Sequence, residues 1–229
     1  MSDRAGQQWD GIEENPAFRI CFVRHAESEI NIMPELEIPR HALPPDSGVT
    51  YPLTRKGMQQ ASAIAQRLAG ERLIAVYSST RMRCVQTATA IALPHEIPVR
   101  PMDDLVEIAF VDPAASMGMI EEDDVRAVMG RWQAGDIDAA TPGGGESLRE
   151  VFQRFLPAMR EIIAKHAGQE GTLVIVAHGG VLASGLTQLF ANITPEFVLG
   201  HMFDNTATAT GAFVDGALVC TDWHGVPPE

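Results

Sequence analysis

Two arginines and two histidines lie just after apolar segments of this 229-residue chain, at positions where strands are expected to end. Arg24 and His25 follow the first apolar segment, and His178 follows the last long one. Arg83 comes shortly after a third segment, which ends in a pair of serines. Because the carboxyl ends of parallel strands meet at one edge of a sheet, we expect these four side chains to converge there.

Side chains of these types are suited to binding and transferring a phosphoryl group. The planar guanidinium of arginine matches two phosphate oxygens at once and stays charged. A neutral imidazole can attack phosphorus, and a protonated imidazole can donate a hydrogen bond to a phosphoryl oxygen. A metal site at His25 and His178 is the weaker interpretation, because the neighbouring arginines would repel a cation. We therefore expect no metal and no cofactor.

Motifs for other kinds of phosphate or hydrolytic chemistry are missing from the sequence. Neither Cys21 nor Cys84 is followed six residues later by arginine, as a cysteine phosphatase loop requires. The chain holds no G-x-x-x-x-G-K-[ST] nucleotide loop, no H-E-x-x-H zinc motif and no G-x-S-x-G serine elbow. The histidines therefore remain the best candidates for the reacting group.

The elements that must position these side chains alternate between strand and helix patterns. Apolar segments typical of buried strands are each followed by a helical pattern. Ser147 and Glu150 predict a capping box at the start of the longest helix, and Asp215-Gly216 predicts the turn of a hairpin. This order predicts an α/β protein with three α/β/α layers and a mainly parallel central sheet.

A single domain over residues 18–229 is expected to follow a flexible polar tail at residues 1–17. Two insertions, at about 32–52 and 109–145, are rich in proline, glycine and acidic residues. Insertions of this length in an α/β domain are usually functional, so we expect lids, although 109–145 could also be a plain surface excursion. A helix at about residues 123–132 is expected inside the second insertion.

The composition indicates a globular protein with an acidic balance. The net charge of −13 argues against general binding to nucleic acid or to an anionic membrane, although a few local arginines can still bind an anionic substrate. No apolar run is long enough to span a bilayer, and the first residues lack the apolar stretch of a signal peptide. The three cysteines lack disulfide-type spacing, so we expect reduced thiols and a cytoplasmic location.

Six short motifs, in order over about residues 18–222, resemble those of the histidine phosphatase superfamily, also called phosphoglycerate-mutase-like. They are Arg24-His25-Ala26-Glu27-Ser28 with Asn31, Leu53-Thr54 with Gly57 and Gln60-Ala61, Ser78-Ser79 with Arg83, Gln86, Thr87 and Ala88, Leu105 with Glu107, Gly145-Glu146-Ser147, and His178-Gly179-Gly180, with Asn205 after them. Each motif is weak alone, but six in order make a strong signal. The resemblance implies the phosphoglycerate-mutase-like fold.

The resemblance also implies a role for each residue of the phosphate pocket. His25 would be the nucleophile that forms a phosphohistidine. Arg24, Arg83 and His178 would hold the phosphoryl oxygens and stabilise the charge that spreads over them during transfer. The backbone of Gly179 would add a further contact.

The resemblance assigns the proton transfers to an acidic residue. Glu107 would protonate the leaving oxygen and then activate water as a base. The residues themselves leave three other acids open for this place, namely Asp103, Asp104 and Glu96. Asn31 would add another contact to the phosphoryl group.

The chain departs from the family pattern at three places. After Glu107 the stretch Ile-Ala-Phe-Val-Asp-Pro lacks the Phe-Gly and Trp-Glu-Gly elements common in the family, so we expect this loop to have its own shape. Ala26 stands where many members have glycine, and because a side chain disfavours positive φ, we expect ordinary backbone there. The basic Glu-Arg-His-Tyr-Gly stretch of the true mutases is missing. A mutase must hold a second phosphate and a carboxylate, so more cations would be expected, and their absence from the sequence favours a phosphatase.

We therefore predict a metal-independent phosphomonoesterase that acts on a small phosphorylated metabolite through His25. Three alternatives stay open: a phosphoglycerate-mutase-type phosphotransferase, a catalytically weak phosphate-binding interaction protein, and a phosphatase for phosphorylated proteins. Steady release of inorganic phosphate would separate an enzyme from a binding protein, and dependence on a bisphosphate primer would favour a mutase. The leaving group of the substrate stays open, and a homodimer is one oligomeric state left open.

Overall fold

The computed structural model of the chain describes residues 17–33, 51–110, 122–141 and 144–228, together with Trp9 and Asn15. Within these residues one sheet contains the strands β1 (Phe18–Arg24), β2 (Leu73–Ser79), β3 (Val99–Met102), β4 (Gly171–Ala177), β5 (Thr208–Val214) and β6 (Ala217–Trp223). The helices are α1 (Glu29–Ile32), α2 (Arg55–Leu68), α3 (Met82–Ala92), α4 (Glu122–Gln133), α5 (Leu148–His166), α6 (Gly179–Leu189) and α7 (Pro195–Gly200).

The sheet is parallel through its centre and antiparallel at one side. Its spatial order is β3-β2-β4-β1-β5-β6, and the four strands from β3 to β1 pair in parallel. β5 and β6 are added by antiparallel pairing. They form the predicted hairpin, whose turn residues Asp215 and Gly216 have φ values of 50° and 76°, as a two-residue hairpin turn requires. The prediction of a mainly parallel α/β fold is confirmed.

The strand register brings the three predicted site segments to the same edge of the sheet. Arg24 at the end of β1 pairs with Ala177 at the end of β4. Ser78 near the end of β2 pairs with Val176 of β4. The chain therefore leaves β1, β2 and β4 at adjacent points, and the residues that follow these strands become neighbours.

Apolar side chains on alternate positions of β1 cover both faces of the sheet, which explains the three layers. Ile20 and Phe22 belong to the core formed with α5 and α6. Cys21 and Val23 belong to a second core formed with α2 and α3. The alternation follows from the period of two in a strand, since successive side chains point to opposite faces.

The longest helix, α5, begins where its sequence signal predicts. Ser147 is its N-cap, and Ser147 Oγ accepts from the N–H of Glu150 while a carboxylate oxygen of Glu150 accepts from the N–H of Ser147 at 2.8 Å. A cap of this kind stabilises a helix by about 1 kcal/mol. The helix lies close to α6, because a Cβ at Gly185 would be 2.4 Å from a ring carbon of Phe155. The capping box is confirmed.

The described part of the second insertion contains α4, which confirms the predicted helix. Val128 on α4 is 3% exposed and belongs to the core of α5 and α6. Trp132 donates from Nε1 to the carbonyl of Ala139 at 2.7 Å, which holds the segment after α4 against the helix. Residues 111–121 of this insertion, most of the first insertion and most of the N-terminal tail lie outside the described residues, so their predicted roles stay predictions.

Among the described residues, no helix has both the length and the apolar character needed to cross a membrane.

Candidate active site

His25 is the first residue after β1, and hydrogen bonds hold its main chain on both sides. Its N–H donates to the carbonyl of Ala177 at 3.0 Å, and its carbonyl accepts from Nδ2 of Asn205 at 3.0 Å. The N–H of Ala26 donates to Oγ1 of Thr87 at 3.1 Å, which ties this loop to α3. Ala26 is fully buried and does not have a positive φ, so the prediction of ordinary backbone there is confirmed.

The imidazole of His25 is held as a neutral ring with a free electron pair on Nε2. Nδ1 lies 2.8 Å from the carbonyl oxygen of Ala26, and because a carbonyl can only accept, Nδ1 carries the proton. Nε2 accepts a hydrogen bond from Nε of Arg83 at 3.2 Å. Burial, with the nearby charges of Arg83 and Arg24, lowers the pKa of His25 well below its ordinary value. The ring is therefore uncharged at neutral pH, with its proton on Nδ1 and with Nε2 directed towards a cation.

His178 caps the N-terminus of α6 and packs against His25, with ring centroids 5.1 Å apart. Its Nδ1 lies 3.1 Å from a terminal nitrogen of Arg83, and its Nε2 lies 2.8 Å from Oγ of Ser79. Since the guanidinium can only donate, Nδ1 accepts and Nε2 carries the proton that Ser79 accepts. Complete burial, followed by the charge of Arg83, lowers the pKa of His178 well below its ordinary value.

The two predicted arginines approach the histidines from different elements. Arg83 on α3 bridges His25 and His178 with its Nε and one terminal nitrogen. Arg24 at the end of β1 donates from one terminal nitrogen to the carbonyl of Phe203. Nε of Arg24 is buried and has no hydrogen-bond partner within the part of the chain that the structure describes. Burial lowers the pKa of Arg24, and an unpaired buried donor on a cation is well suited to an anionic oxygen.

The carboxylate of Glu107 lies at the N-terminus of α6, beside the other site residues. Its oxygens accept from the N–H groups of Gly180 at 3.0 Å, Val181 at 2.8 Å and Ile108 at 3.0 Å. Among the charges that act on Arg24, Glu107 has the largest effect and raises its pKa. A Cβ at position 180 would lie 2.7 Å from a Glu107 oxygen, so glycine at this position lets the carboxylate reach the helix.

Two other predicted phosphate contacts, Gly179 and Asn31, lie in different surroundings. Gly179 is the first residue of α6, and a Cβ there would be 3.3 Å from Nε of Arg24. Asn31 is exposed on α1, and its Oδ1 accepts from the N–H and Oγ of Ser28 at 2.9 and 3.0 Å. Because phosphate oxygens accept hydrogen bonds, Nδ2 is the atom of Asn31 that could contact a phosphate, and its role stays a prediction.

The alternative acids occupy other places on the elements around the site. Asp103 and Asp104 form a turn just before the Glu107 segment, and Asp103 accepts from Oγ1 of Thr80 at 2.7 Å on the exposed side. Glu96 follows the far end of α3, whereas Arg83 lies at its beginning. The geometry therefore favours Glu107 among these four residues.

The structure brings into or beside the site three residues whose contacts the sequence does not indicate. Ser79 is fully buried against His178, although the sequence marked it only as part of a motif. Tyr51 is 8% exposed, and its hydroxyl has no partner within the described residues. Burial raises the pKa of Tyr51, and the nearby charge of Arg83 opposes this rise. Arg154 on α5 reaches the Glu107 segment. No local pattern shows which partners these residues have, because the partners come from distant parts of the chain.

Cys21, Cys84 and Cys220 are free and buried. Cys84 lies 3.4 Å from Nε2 of His178, but burial raises the pKa of its thiol to about 12, so it remains protonated. It packs beside the histidine as a neutral group. The described residues contain no group of three or more histidine, cysteine or acidic side chains arranged to hold a metal ion.

The fold and these side chains define an α/β protein in which two arginines and two histidines, of types suited to a phosphate-type anion, meet at one edge of the sheet. A family profile described as the histidine phosphatase superfamily (branch 1) matches residues 20–224, so the chain belongs to that family. The family and the enzyme class predicted from the sequence, a hydrolase of phosphate monoesters, are confirmed.

Several named relatives support the phosphatase class over the mutase class. The metal-independent phosphoserine phosphatase of Arabidopsis thaliana is 31% identical over 229 residues, which cover 93% of this chain and 84% of the relative. Phosphoserine phosphatase 1 of Hydrogenobacter thermophilus is 32% identical over 163 residues, which cover 70% of each chain. Among solved structures, a mycobacterial glucosyl-3-phosphoglycerate phosphatase has a TM-score of 0.71 at 21% identity, covering 91% of this chain and 99% of that one, and shows the same fold.

Proposed function

We propose that this chain hydrolyses a small phosphate monoester that carries a carboxylate, with phosphoserine as the first candidate, through a phosphohistidine on His25. The neutral ring of His25 carries the proposal, because its Nδ1–H is bound to the Ala26 carbonyl and its Nε2 electron pair faces Arg83. The substrate class is supported by the two relatives that are named phosphoserine phosphatases. The proposal includes a cytoplasmic location, which the free cysteines support.

In the first step, Nε2 of His25 attacks phosphorus and the bond from phosphorus to the leaving oxygen breaks. Arg83 moves its hydrogen bonds from the histidines to the phosphoryl oxygens, and the unpaired Nε of Arg24 donates to another oxygen. Protonated Glu107 gives its proton to the leaving oxygen, so that an alcohol departs. The Nδ1–H of His25 stays bound to the Ala26 carbonyl, which stabilises the positive charge on the phosphorylated ring.

In the second step, water attacks the phosphohistidine. The carboxylate of Glu107 takes the proton from the water, and the bond between phosphorus and Nε2 breaks. Inorganic phosphate leaves, His25 returns to the neutral ring, and Glu107 is protonated again for the next cycle. The same residue therefore acts first as an acid and then as a base.

To test this proposal, the enzyme is incubated with ³²P-phosphoserine and the reaction is then stopped rapidly without acid. We expect a protein-bound label that survives base and is lost in acid, as a phosphoramidate is. The variant His25→Ala should trap no label, whereas His95→Ala, in the turn after the far end of α3, should trap as much as the unmodified protein. Full phosphatase activity in His25→Ala would refute the mechanism.

Release of phosphate without an added primer separates the remaining functions. A phosphatase should release one inorganic phosphate for each serine formed, with no bisphosphate present. Turnover that requires a bisphosphate primer would indicate a mutase, and tight phosphate binding without turnover would indicate an interaction protein. A panel of phosphorylated carboxylic acids and phosphorylated sugars, measured by kcat/KM, tests the substrate class.

A further inference from the structure

Arg154 on α5 uses every N–H of its guanidinium within the protein. Two of them donate from one terminal nitrogen to the carbonyls of Asp104 at 2.8 Å and Val106 at 3.0 Å. The other terminal nitrogen donates to the carbonyl of Glu107 at 3.3 Å and to a carboxylate oxygen of Glu146 at 2.9 Å. Nε donates to the second oxygen of Glu146 at 2.6 Å. Because arginine has five N–H donors, none remains for a substrate.

Glu146 holds the other side of the same segment. Its Oε2 accepts from the N–H of Ala109 at 2.9 Å, and its own N–H donates to the carbonyl of Ala109 at 2.6 Å. Glu146 and Arg154 therefore bind the main chain both before and after Glu107. The pair is mostly buried, with side-chain exposures of 18% for Arg154 and 22% for Glu146, so that solvent competes little for these bonds.

The segment needs this support because it has no regular secondary structure of its own. Residues 107–109 belong to no helix or strand, so their carbonyls lack the partners that a helix or sheet would supply. Glu107 is thus held at two ends. Its carbonyl is fixed to α5 through Arg154, and its carboxylate is fixed to α6 through the N–H groups of Gly180 and Val181.

We propose that Arg154 and Glu146 are positioning residues for the general acid and base Glu107. This inference rests on the proposed function, in which Glu107 protonates the leaving oxygen. The pair sets the distance between α5 and the Glu107 backbone, and a displacement of even about 1 Å of a group that transfers a proton lowers the rate strongly. Neither residue contacts the substrate.

The leaving group of the substrate provides the test. An alkoxide such as that of phosphoserine needs a proton from Glu107, whereas p-nitrophenolate leaves readily without one. In Arg154→Lys and Glu146→Gln, we expect kcat/KM for phosphoserine, which reports the steps up to departure of the alcohol, to fall by about tenfold or more, with a much smaller fall for p-nitrophenyl phosphate. The ratio kcat/KM is compared because kcat also contains the water attack that Glu107 assists, and this step is common to both substrates. A general loss of structure would instead lower both activities together.

Two further variants make the outcome decisive. Glu107→Gln should show the largest selective loss; if it shows none, Glu107 is not the acid and the proposed mechanism fails. Suppose that Glu107→Gln lowers the activity on phosphoserine selectively. If Arg154→Lys and Glu146→Gln then lower the activities on both substrates equally, or lower neither, the positioning role is refuted. Arg149→Lys is the matched control, since Arg149 lies on the same helix and pairs with Asp138, away from the Glu107 segment. Thermal unfolding of each variant shows that it is folded.

Discussion

Acidification should destabilise this protein through the two buried histidines of the site. His25 is 3% exposed and His178 is 0% exposed, and burial lowers the pKa of both well below the ordinary 6.5. In the unfolded chain both rings regain an ordinary pKa, so the unfolded state binds more protons as the pH falls. The free energy of unfolding should therefore be highest above pH 6.5 and decrease below it.

The magnitude follows from proton linkage. A histidine that stays neutral in the native state lowers the free energy of unfolding by at most about 1.4 kcal/mol per pH unit. Between pH 6.5 and pH 5.5 the loss integrates to about 1 kcal/mol for each histidine, because the unfolded ring is already half protonated at the start. Two such histidines give about 2 kcal/mol. The buried His166 and the partly buried His224, whose pKa values are also lowered, are present in every variant, so their contributions cancel when variants are compared.

Urea unfolding at about pH 7.5, 6.5 and 5.5 measures this effect. The unmodified protein should lose about 1 kcal/mol more between the two lower pH values than either His25→Asn or His178→Asn, and about 2 kcal/mol more than the double variant. Between the two higher pH values the extra loss in the unmodified protein should be smaller, about 0.4 kcal/mol for each histidine. If all four proteins lose stability equally between pH 6.5 and 5.5, the histidines are not held neutral by burial and the reasoning is wrong.

Two substitutions test other contacts of the site. Ser79→Ala should lower the free energy of unfolding by about 1–3 kcal/mol, because the buried Nε2–H of His178 loses its acceptor. Ser79→Thr keeps a hydroxyl and should therefore have more phosphatase activity than Ser79→Ala. Equal activity in the two variants would contradict this. Gly57→Ala should lower the free energy of unfolding by about 1–3 kcal/mol, because the added Cβ would lie 1.8 Å from the carbonyl oxygen of Glu27. Gly70→Ala, with no atom near the added Cβ, is the control, and urea unfolding of the pair gives the comparison.

The sequence by itself determined which chain segments form the fold and where most of them begin and end. Signals that act over a few residues gave correct predictions, because their partners are close in sequence. The capping box of Ser147 and Glu150 and the turn at Asp215-Gly216 are of this kind. The consecutive apolar residues of β1 likewise required helices on both faces of the sheet, because successive side chains of a strand point to opposite faces.

The sequence also placed Arg24, His25, Arg83 and His178 at the ends of three strands, and parallel pairing brought these strand ends together. Only the tertiary structure decided the chemical state of the rings. The neutral form of His25 depends on the Ala26 carbonyl and on a guanidinium 58 positions away in the chain. Burial, which lowers the pKa of both histidines, is a property of the packed molecule and has no sequence pattern of its own.

The support of Glu107 likewise came only from the tertiary structure. Arg154 lies 47 positions from Glu107 and reads in the sequence as an ordinary helix-surface charge. In the folded protein, α5 carries Arg154 to a segment whose carbonyls have no strand or helix partners, and α6 offers its first N–H groups to the carboxylate. Residues that react can be recognised by type and local spacing, whereas residues that hold them depend on how distant elements pack.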